Sequence, residues 1–172
     1  MISCKLEKAL NKHFNMELFS AYLYVAMAAY FEHKNLNGFA NWMRMQFQEE
    51  MAHAAKFYAY IHDVGGRVEL DAIAKPPVDY KSALVVFEDA LAHEQTVTKA
   101  IYKLMDLALA ESHHATSAFL QWFVTEQVEE EKVADDIVKR LQLVGNSPEG
   151  IFMMDRELAL RQLTPGPTGA AT

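Results

Sequence analysis

Four glutamates and one histidine fall on helical faces that are otherwise apolar. Glu17, Glu50, Glu94 and Glu130 each interrupt a series of apolar residues spaced three and four apart. His53 follows Glu50 by three residues, so both side chains reach one point on one helix face. A buried carboxylate is costly unless it is paired, protonated or bound to metal, and no lysine or arginine shares these faces. Carboxylates with an imidazole suit iron or manganese, so the set predicts a cation site.

A single glutamate on such a face is commonly an edge residue, so the prediction depends on the joint pattern. Four separate faces are each broken by a carboxylate near mid-length. A metal-free interaction module would leave these four acids without an explanation. It would be favoured over a metal site if Glu50→Ala and Glu94→Ala raised stability and the protein bound no iron(II).

The helices that must hold these side chains are marked out by glycine and proline. The breakers predict helices at roughly 4–34, 38–64, 81–110, 115–144 and 149–163. As one helix, residues 78–144 would run about 100 Å, so a break is expected at 111–116. The remaining segment, 164–172, reads as a flexible C-terminal tail after a single domain of 1–163.

The lengths of the connections predict the topology. The first and second helices, and the third and fourth, are joined briefly and should be antiparallel neighbours. The link between the second and third covers about residues 66–80, and such a segment can reach roughly 50 Å when extended. We therefore expect an all-α four-helix bundle with one long crossover and a short fifth helix at the C-terminus.

Composition excludes several classes of protein. The chain has 172 residues, 51% of them hydrophobic, and a net charge of −7, which disfavours nucleic acid and anionic membranes as partners. Its longest apolar run, 21–31, is too short to cross a bilayer. Cys4 is the only cysteine, and no signal peptide is visible, so a reducing cytoplasmic location is expected.

Motifs in four helices resemble those of the non-haem bacterial ferritins, over essentially the whole chain. They are Asn15-Met16-Glu17-Leu18, Gln48-Glu49-Glu50-Met51-Ala52-His53, His93-Glu94-Gln95, Phe119-Leu120-Gln121-Trp122-Phe123 and Glu126-Gln127-Val128-Glu129-Glu130-Glu131. The start of the family's fifth helix is matched by Ser147-Pro148-Glu149-Gly150. The resemblance implies a ferritin-like bundle.

The resemblance also implies a ferroxidase centre with two iron ions. Glu17, Glu50 and His53 match the ligands of one iron, while Glu94 and Glu130 match those of the second, with Glu50 bridging. The other matching positions are Gln127, a polar group beside the centre, Tyr24, the neighbouring tyrosine, and Glu49, Glu126 and Glu129, which with Glu130 match a third, weaker iron site. A solvated acidic face is the alternative for the third group, and a hydrogen-bonded core tyrosine is the alternative for Tyr24.

The implied function is iron storage and detoxification. Iron(II) would be oxidised by dioxygen or hydrogen peroxide and deposited as a ferric mineral inside a hollow homo-oligomer of 24 subunits. No haem is expected. A second apolar strip on the first helix predicts a partner surface, and its members are Phe14, Leu18, Ala21, Val25 and Ala28.

Two related functions stay open at this point. A rubrerythrin-like di-iron oxidase or peroxidase would lack storage, and a bacterioferritin would carry haem. Both would be expected to show Glu-x-x-His on two helices. Here the fourth helix reads Gln127-Val128-Glu129-Glu130, so Glu130 stands where the second histidine would be.

Overall fold

Five α-helices make up most of the computed structural model, which describes residues 2–163. They are α1 (Cys4–His33), α2 (Asn37–Asp63), α3 (Ala83–Ala110), α4 (His114–Val144) and α5 (Pro148–Leu158). The predicted all-α fold is confirmed, and each helix end lies within two residues of its prediction except the end of α5. The predicted tail, 164–172, lies outside the described residues. No helix in the described part of the chain is long and apolar enough to cross a membrane.

Serine side chains set the start of three helices. The hydroxyls of Ser3, Ser82 and Ser147 accept hydrogen bonds from backbone N–H groups in the first turns of α1, α3 and α5. Each bond satisfies a donor that has no partner inside the helix. The residue that precedes α2, Leu36, has no such side chain.

The reversal between α3 and α4 falls in the predicted segment. Ser112 adopts a positive φ of 53°, which a helix interior does not allow. The ring of His113 then caps α4, since its Nδ1 accepts a hydrogen bond from the backbone of Thr116 at 3.3 Å. This histidine therefore belongs to a turn, as expected.

Two apolar clusters at opposite ends of the bundle fix the direction of each helix. The first contains Phe31, Phe39, Phe87 and Leu141, from the end of α1, the starts of α2 and α3, and the end of α4. The second contains Leu10, Phe57, Ile101 and Leu120, from the opposite ends of the same helices. Since α2 and α3 both run from the first cluster to the second, they are parallel, which confirms the predicted topology.

The connection between α2 and α3, residues 64–82, runs along α1 and is called the crossover here. Near the start of α1, the Asn11 side chain donates to the carbonyl of Arg67 at 2.8 Å. Near its end, the hydroxyl of Tyr30 donates to the carbonyl of Tyr80 at 3.0 Å. The crossover thus returns the chain to the end of the bundle where α2 began, and α3 starts there.

The fifth helix packs against the start of α2 and caps it. Asp155 Oδ1 accepts hydrogen bonds from the backbone N–H of Gly38 at 2.8 Å and of Phe39 at 3.0 Å. A Cβ on Gly38 would lie 1.6 Å from the Asp155 carbonyl oxygen, so this approach requires glycine. The Asn41 side chain donates to the backbone carbonyls of Leu158, Ala159 and Arg161. These carbonyls are bonded outside α5, and the helix ends at Leu158, before the predicted end at 163.

The predicted partner strip on α1 is partly wrong. Phe14, Ala21 and Ala28 are buried within the chain itself, because this side of α1 packs on its neighbours. Val25 is 38% exposed beside Tyr22, which is 46% exposed. These two line an apolar groove between α1 and the crossover, so the open face of α1 is rotated away from the predicted strip.

Candidate metal centre

A layer of buried polar side chains separates the two apolar clusters and is called the polar layer here. It consists of Glu17, Gln46, Glu50, His53, Glu94, Gln127 and Glu130, each at most 8% exposed. Every residue lies in the middle part of its helix, so apolar packing closes the layer at both ends. The structure thus brings together the five predicted ligands and Gln127.

The half of the layer built from α1 and α2 forms a compact triad. One ligand atom each from Glu17, Glu50 and His53 lies within 4.8 Å of the others. His13 Nε2 bonds Glu17 Oε1 at 2.8 Å, and His53 Nδ1 lies 3.4 Å from Glu50 Oε2. Glu17 Oε2 is buried with no hydrogen-bond partner. An unpartnered buried carboxylate oxygen beside a second carboxylate and an imidazole is suited to a bound cation.

The half built from α3 and α4 is held by neutral donors. The Tyr24 hydroxyl donates to Glu94 Oε1, and Gln127 Nε2 donates to Glu94 Oε2 at 3.2 Å. Gln46 Nε2 donates to Glu130 Oε2 at 2.8 Å. Tyrosine and amide donors hold the two carboxyl groups in place without supplying positive charge.

Gln46 also joins the two halves. The same Nε2 lies 3.1 Å from Glu50 Oε1, so one amide bonds carboxylates of α2 and α4. Its Oε1 is buried without a hydrogen-bond partner. Glu50 therefore faces His53 through Oε2 and shares a donor with Glu130 through Oε1, which is the position that a bridging ligand needs.

Burial and like charge favour the protonated form of the α3–α4 carboxyl groups. Burial, together with the charges of Glu50 and Glu130, raises the pKa of Glu94 well above its usual value. Burial and the charges of Glu50 and Glu49 raise the pKa of Glu130 to about 8. Without a cation, Glu130 is therefore largely neutral near pH 7, and the protonated form of Glu94 is favoured over its usual balance.

Glu17 and His53 of the triad have the opposite electrostatic character, whereas burial raises the pKa of Glu50 although the hydrogen bond and charge of His53 oppose it. Burial acts to raise the pKa of Glu17, but the charge and hydrogen bond of His13 and the charge of His53 outweigh it, and the pKa is lowered. Burial acts to lower the pKa of His53, but the hydrogen bond and charge of Glu50 outweigh it, and the pKa rises to about 9. Glu17 is therefore anionic and His53 carries a proton in the metal-free site.

Tyr24 keeps its proton over a wide range of pH. Burial and the charges of Glu94, Glu50 and Glu130 raise the pKa of its hydroxyl well above the usual value. The hydroxyl is therefore a hydrogen-bond donor to Glu94.

The residues predicted for a third iron site are placed differently from one another. One ligand atom each from His53, Glu126 and Glu130 lies within 4.8 Å of the others. Glu129 is exposed, and Glu49 pairs with an arginine from the C-terminal end of the described chain. The assignment of a third iron to these residues stays a prediction.

Sequence reasoning missed three residues that hold the proposed ligands. His13 lies four residues before Glu17, and Gln46 lies four residues before Glu50. Polar residues at this spacing share a helix face, so both could have been found. Arg161 reaches Glu49 from 112 residues away in sequence, and no local pattern indicates that contact.

Comparisons with known sequences match most of the chain. A family model described as a ferritin-like domain matches residues 7–144. The bacterial non-heme ferritin of Staphylococcus aureus (strain USA300) is 39% identical over 161 residues, which cover 94% of this chain and 97% of that protein. The bacterial non-heme ferritin of Staphylococcus epidermidis is 41% identical over 161 residues, with the same coverage of both chains.

Known structures also match the chain, at higher sequence identity than these two relatives. The open pore ferritin from the hyperthermophilic archaeon Archaeoglobus fulgidus is 48% identical, with a TM-score of 0.93, and the match covers 94% of this chain and all of that one. A humanized archaeal ferritin is also 48% identical, with a TM-score of 0.94, and covers 96% of this chain.

Proposed function

The chain belongs to the ferritin family, and from that premise we propose that the polar layer is the site at which it binds and oxidises iron(II). Ferritins are ferroxidases that store iron, and this chain is one of them. The observation that supports the site is a set of four carboxylates and a histidine sealed in mid-bundle, with Glu17 Oε2 left without a partner. Within residues 2–163, no lysine or arginine forms an ion pair with any of the four carboxylates.

Two iron(II) ions are the proposed substrates of the layer. Glu17, Glu50 and His53 bind one ion, and Glu94 and Glu130 bind the second, with Glu50 bridging. His53 must lose its proton to act as a ligand, and so must Glu130 and any other carboxyl group of the site that is protonated. Iron binding therefore releases protons from the site.

The residues favour oxidation through their charge. Carboxylates are hard anionic oxygen ligands, so they stabilise iron(III) more than iron(II). Each iron gives one electron. The pair of electrons, with two protons, reduces dioxygen to hydrogen peroxide or reduces hydrogen peroxide to two water molecules.

Two neighbours complete the proposed site. Gln127 fixes one oxygen of Glu94, and Tyr24 donates a hydrogen bond to the other. Both therefore orient the ligand of the second iron. A third, weaker position for iron leaving the centre would use Glu126 and Glu130, with Glu49 and Glu129 as further ligands.

The assembly proposed for storage is a hollow shell of 24 copies. The exposed apolar groove on α1, lined in part by Tyr22 and Val25, supports a surface for contact between subunits. The cargo is a ferric mineral inside the shell, and the layer needs no haem.

The test is to load the metal-free protein with iron(II) under anaerobic conditions, admit oxygen, and record ferric absorbance together with particle mass. We expect a particle of 24 chains and oxidation that continues far beyond two irons per chain. A small oligomer that stops at two irons per chain would support a di-iron oxidase without storage.

A further inference from the structure

Arg161, just after α5, lies against α2. Its guanidinium carbon lies 4.3 Å from the centre of the Trp42 ring, and Nη1 donates to the Trp42 carbonyl at 3.3 Å. Nη2 forms an ion pair with Glu49 Oε2. The side chains of Arg161 and Glu49 are only 20% and 18% exposed, so this pair is far less solvated than an ordinary surface pair.

The packing of α5 on α2 fixes the position of the Arg161 guanidinium beside Trp42 and Glu49. Asp155 caps α2, and Gly38 lets the two helices come into close contact. Asn41 then holds the carbonyl groups that follow α5, including that of Arg161 itself at 3.1 Å. Backbone contacts on both sides of the α5 end therefore fix where Arg161 can reach.

The carboxylate that Arg161 holds is next to the bridging ligand. Glu49 precedes Glu50 on α2, and two members of the cluster of His53, Glu126 and Glu130 are residues of the proposed third iron position. In the described part of the chain, Glu49 is outside that cluster and its Oε2 is bonded to Arg161. A fixed cation thus sits at the carboxylate that the third iron would need.

We propose that Arg161 is a positioning residue for iron that leaves the two-iron centre. It holds Glu49 while the third position is empty, and iron gains Glu49 as a ligand only when the guanidinium is displaced. The inference rests on the proposed function, because it concerns the exit of iron from that centre. A guanidinium is charged at all accessible pH and binds carboxylates through a planar set of donors, so it competes with a metal cation and keeps the third position weak.

The stacking of Arg161 on Trp42 provides a direct readout. The chain has two tryptophans, and Trp122→Phe leaves Trp42 as the only one. Metal-free W122F protein is titrated with zinc(II), which is redox-inert, while Trp42 emission and the heat of binding are recorded. Trp122 lies beside His53, with 5.3 Å between the ring centres, so its replacement could disturb metal binding. Calorimetry of W122F and of the wild type should therefore show the same affinities for the first two equivalents of zinc.

We expect Trp42 emission to change at the third equivalent of zinc, when the guanidinium leaves the ring. In R161Q the third equivalent should bind at least about tenfold more tightly and leave Trp42 emission unchanged at that step. In E49Q the third step should weaken or disappear while Arg161 stays on Trp42. R140Q breaks the exposed pair of Arg140 with Glu157 and should leave all three steps as in the parent.

The experiment distinguishes a failure of the proposed role of Arg161 from a failure of the proposed two-iron centre. If two equivalents bind tightly but the third step is the same in R161Q and leaves Trp42 emission unmoved, the role of Arg161 is overturned and the two-iron centre stands. If no equivalent binds tightly in any variant, the proposed function fails as well.

Discussion

The two halves of the polar layer contain similar side chains, but Glu17 on one side and Glu94 and Glu130 on the other differ in electrostatic state. On the α1–α2 side, Glu17 is anionic beside His13, and one of its oxygens is unpartnered. On the α3–α4 side, Glu94 and Glu130 have raised pKa values, and neutral donors hold them. A carboxylate that is already charged and unpartnered accepts a cation directly, whereas a protonated one must first lose its proton.

The difference implies an order of binding. The position formed by Glu17, Glu50 and His53 should fill first, because Glu17 is already anionic and one of its oxygens is unpartnered. The position formed by Glu94 and Glu130 should fill second and should weaken more steeply as the pH falls. In the proposed centre, local charge alone would make one position tighter than the other.

Removal of Glu50, the proposed ligand shared by both iron positions, should have the largest effect on iron(II) oxidation. It should also remove the difference in metal affinity between the two halves. In Glu50→Ala both positions lose an oxygen ligand, and the rapid phase of iron(II) oxidation should fall by about 100-fold or more, at or beyond the upper end of losses seen for outer partners of metal ligands. Stopped-flow absorbance of the ferric product measures this rate. An exposed glutamate, Glu88→Ala, is the control, and equal rates in the two variants would contradict a bridging role.

Amide substitutions in the two halves should separate them. Glu17→Gln should weaken the first equivalent of metal and lower the stability of the metal-free protein by about 1–3 kcal/mol, because His13 loses a charged partner. Glu94→Gln should weaken only the second equivalent. It should lower stability less than Glu17→Gln does, because burial and like charge already favour the protonated acid of Glu94, which the amide resembles.

Calorimetric titration with zinc(II) and denaturant unfolding measure both effects in the same samples. Loss of the same metal equivalent, or of the same free energy of unfolding, in both variants would contradict the difference between the two halves.

The His13 contact should tune the tighter half alone. His13→Phe removes the hydrogen bond that fixes Glu17 Oε1 and keeps a ring against Phe57. The first equivalent should bind about 10- to 100-fold more weakly, as is common when the partner of a metal ligand is removed. His62→Phe, at an exposed position, should leave the affinity unchanged, and an unaltered first equivalent in His13→Phe would contradict the role of His13.

The smallest expected effect, with no residue changed, is a dependence of the metal-free protein's stability on pH. The folded pKa of Glu130 is about 8 against an ordinary value of 4.5, and that of His53 is about 9 against 6.5. Since the folded state binds more protons between these limits, stability should fall as the pH rises from 5.5 to 8.5. Each kcal/mol of lost stability lowers Tm by about 2–4 °C in a chain of this size, so a drop in Tm of at least about 5 °C is expected.

Thermal unfolding of metal-free protein at both pH values tests this sign. Bound zinc(II) should reverse the trend, because metal binds the deprotonated ligands more readily at high pH. A Tm of the metal-free protein that is constant or rises over this range would contradict the raised pKa values.

The positions of the ligands on their helices could be predicted from sequence. A carboxylate that interrupts an apolar helical face must point into the core, so Glu17, Glu50, Glu94 and Glu130 were placed correctly in the buried layer. The crossover could also be predicted, because its length allows the chain to return along a helix.

The fine structure of the site could not be predicted in the same way. Glu129 and Glu49 belong to the same acidic motifs as buried Glu130 and Glu50, yet one is exposed and the other is paired with Arg161. The pairing depends on how α5 docks on α2 through Asp155, a tertiary contact that no helical periodicity encodes. Helical periodicity likewise could not predict which face of α1 is exposed, because that depends on where the crossover packs against α1.

The most direct test of the central claim is to locate iron in a crystal of this protein. A crystal soaked with iron(II) without oxygen is measured at the iron absorption edge, and the anomalous difference map is calculated. Two peaks per chain are expected in the polar layer, one among Glu17, Glu50 and His53 and one between Glu94 and Glu130, the first with the higher occupancy. Fully loaded crystals with no anomalous peak among these five side chains would contradict the account.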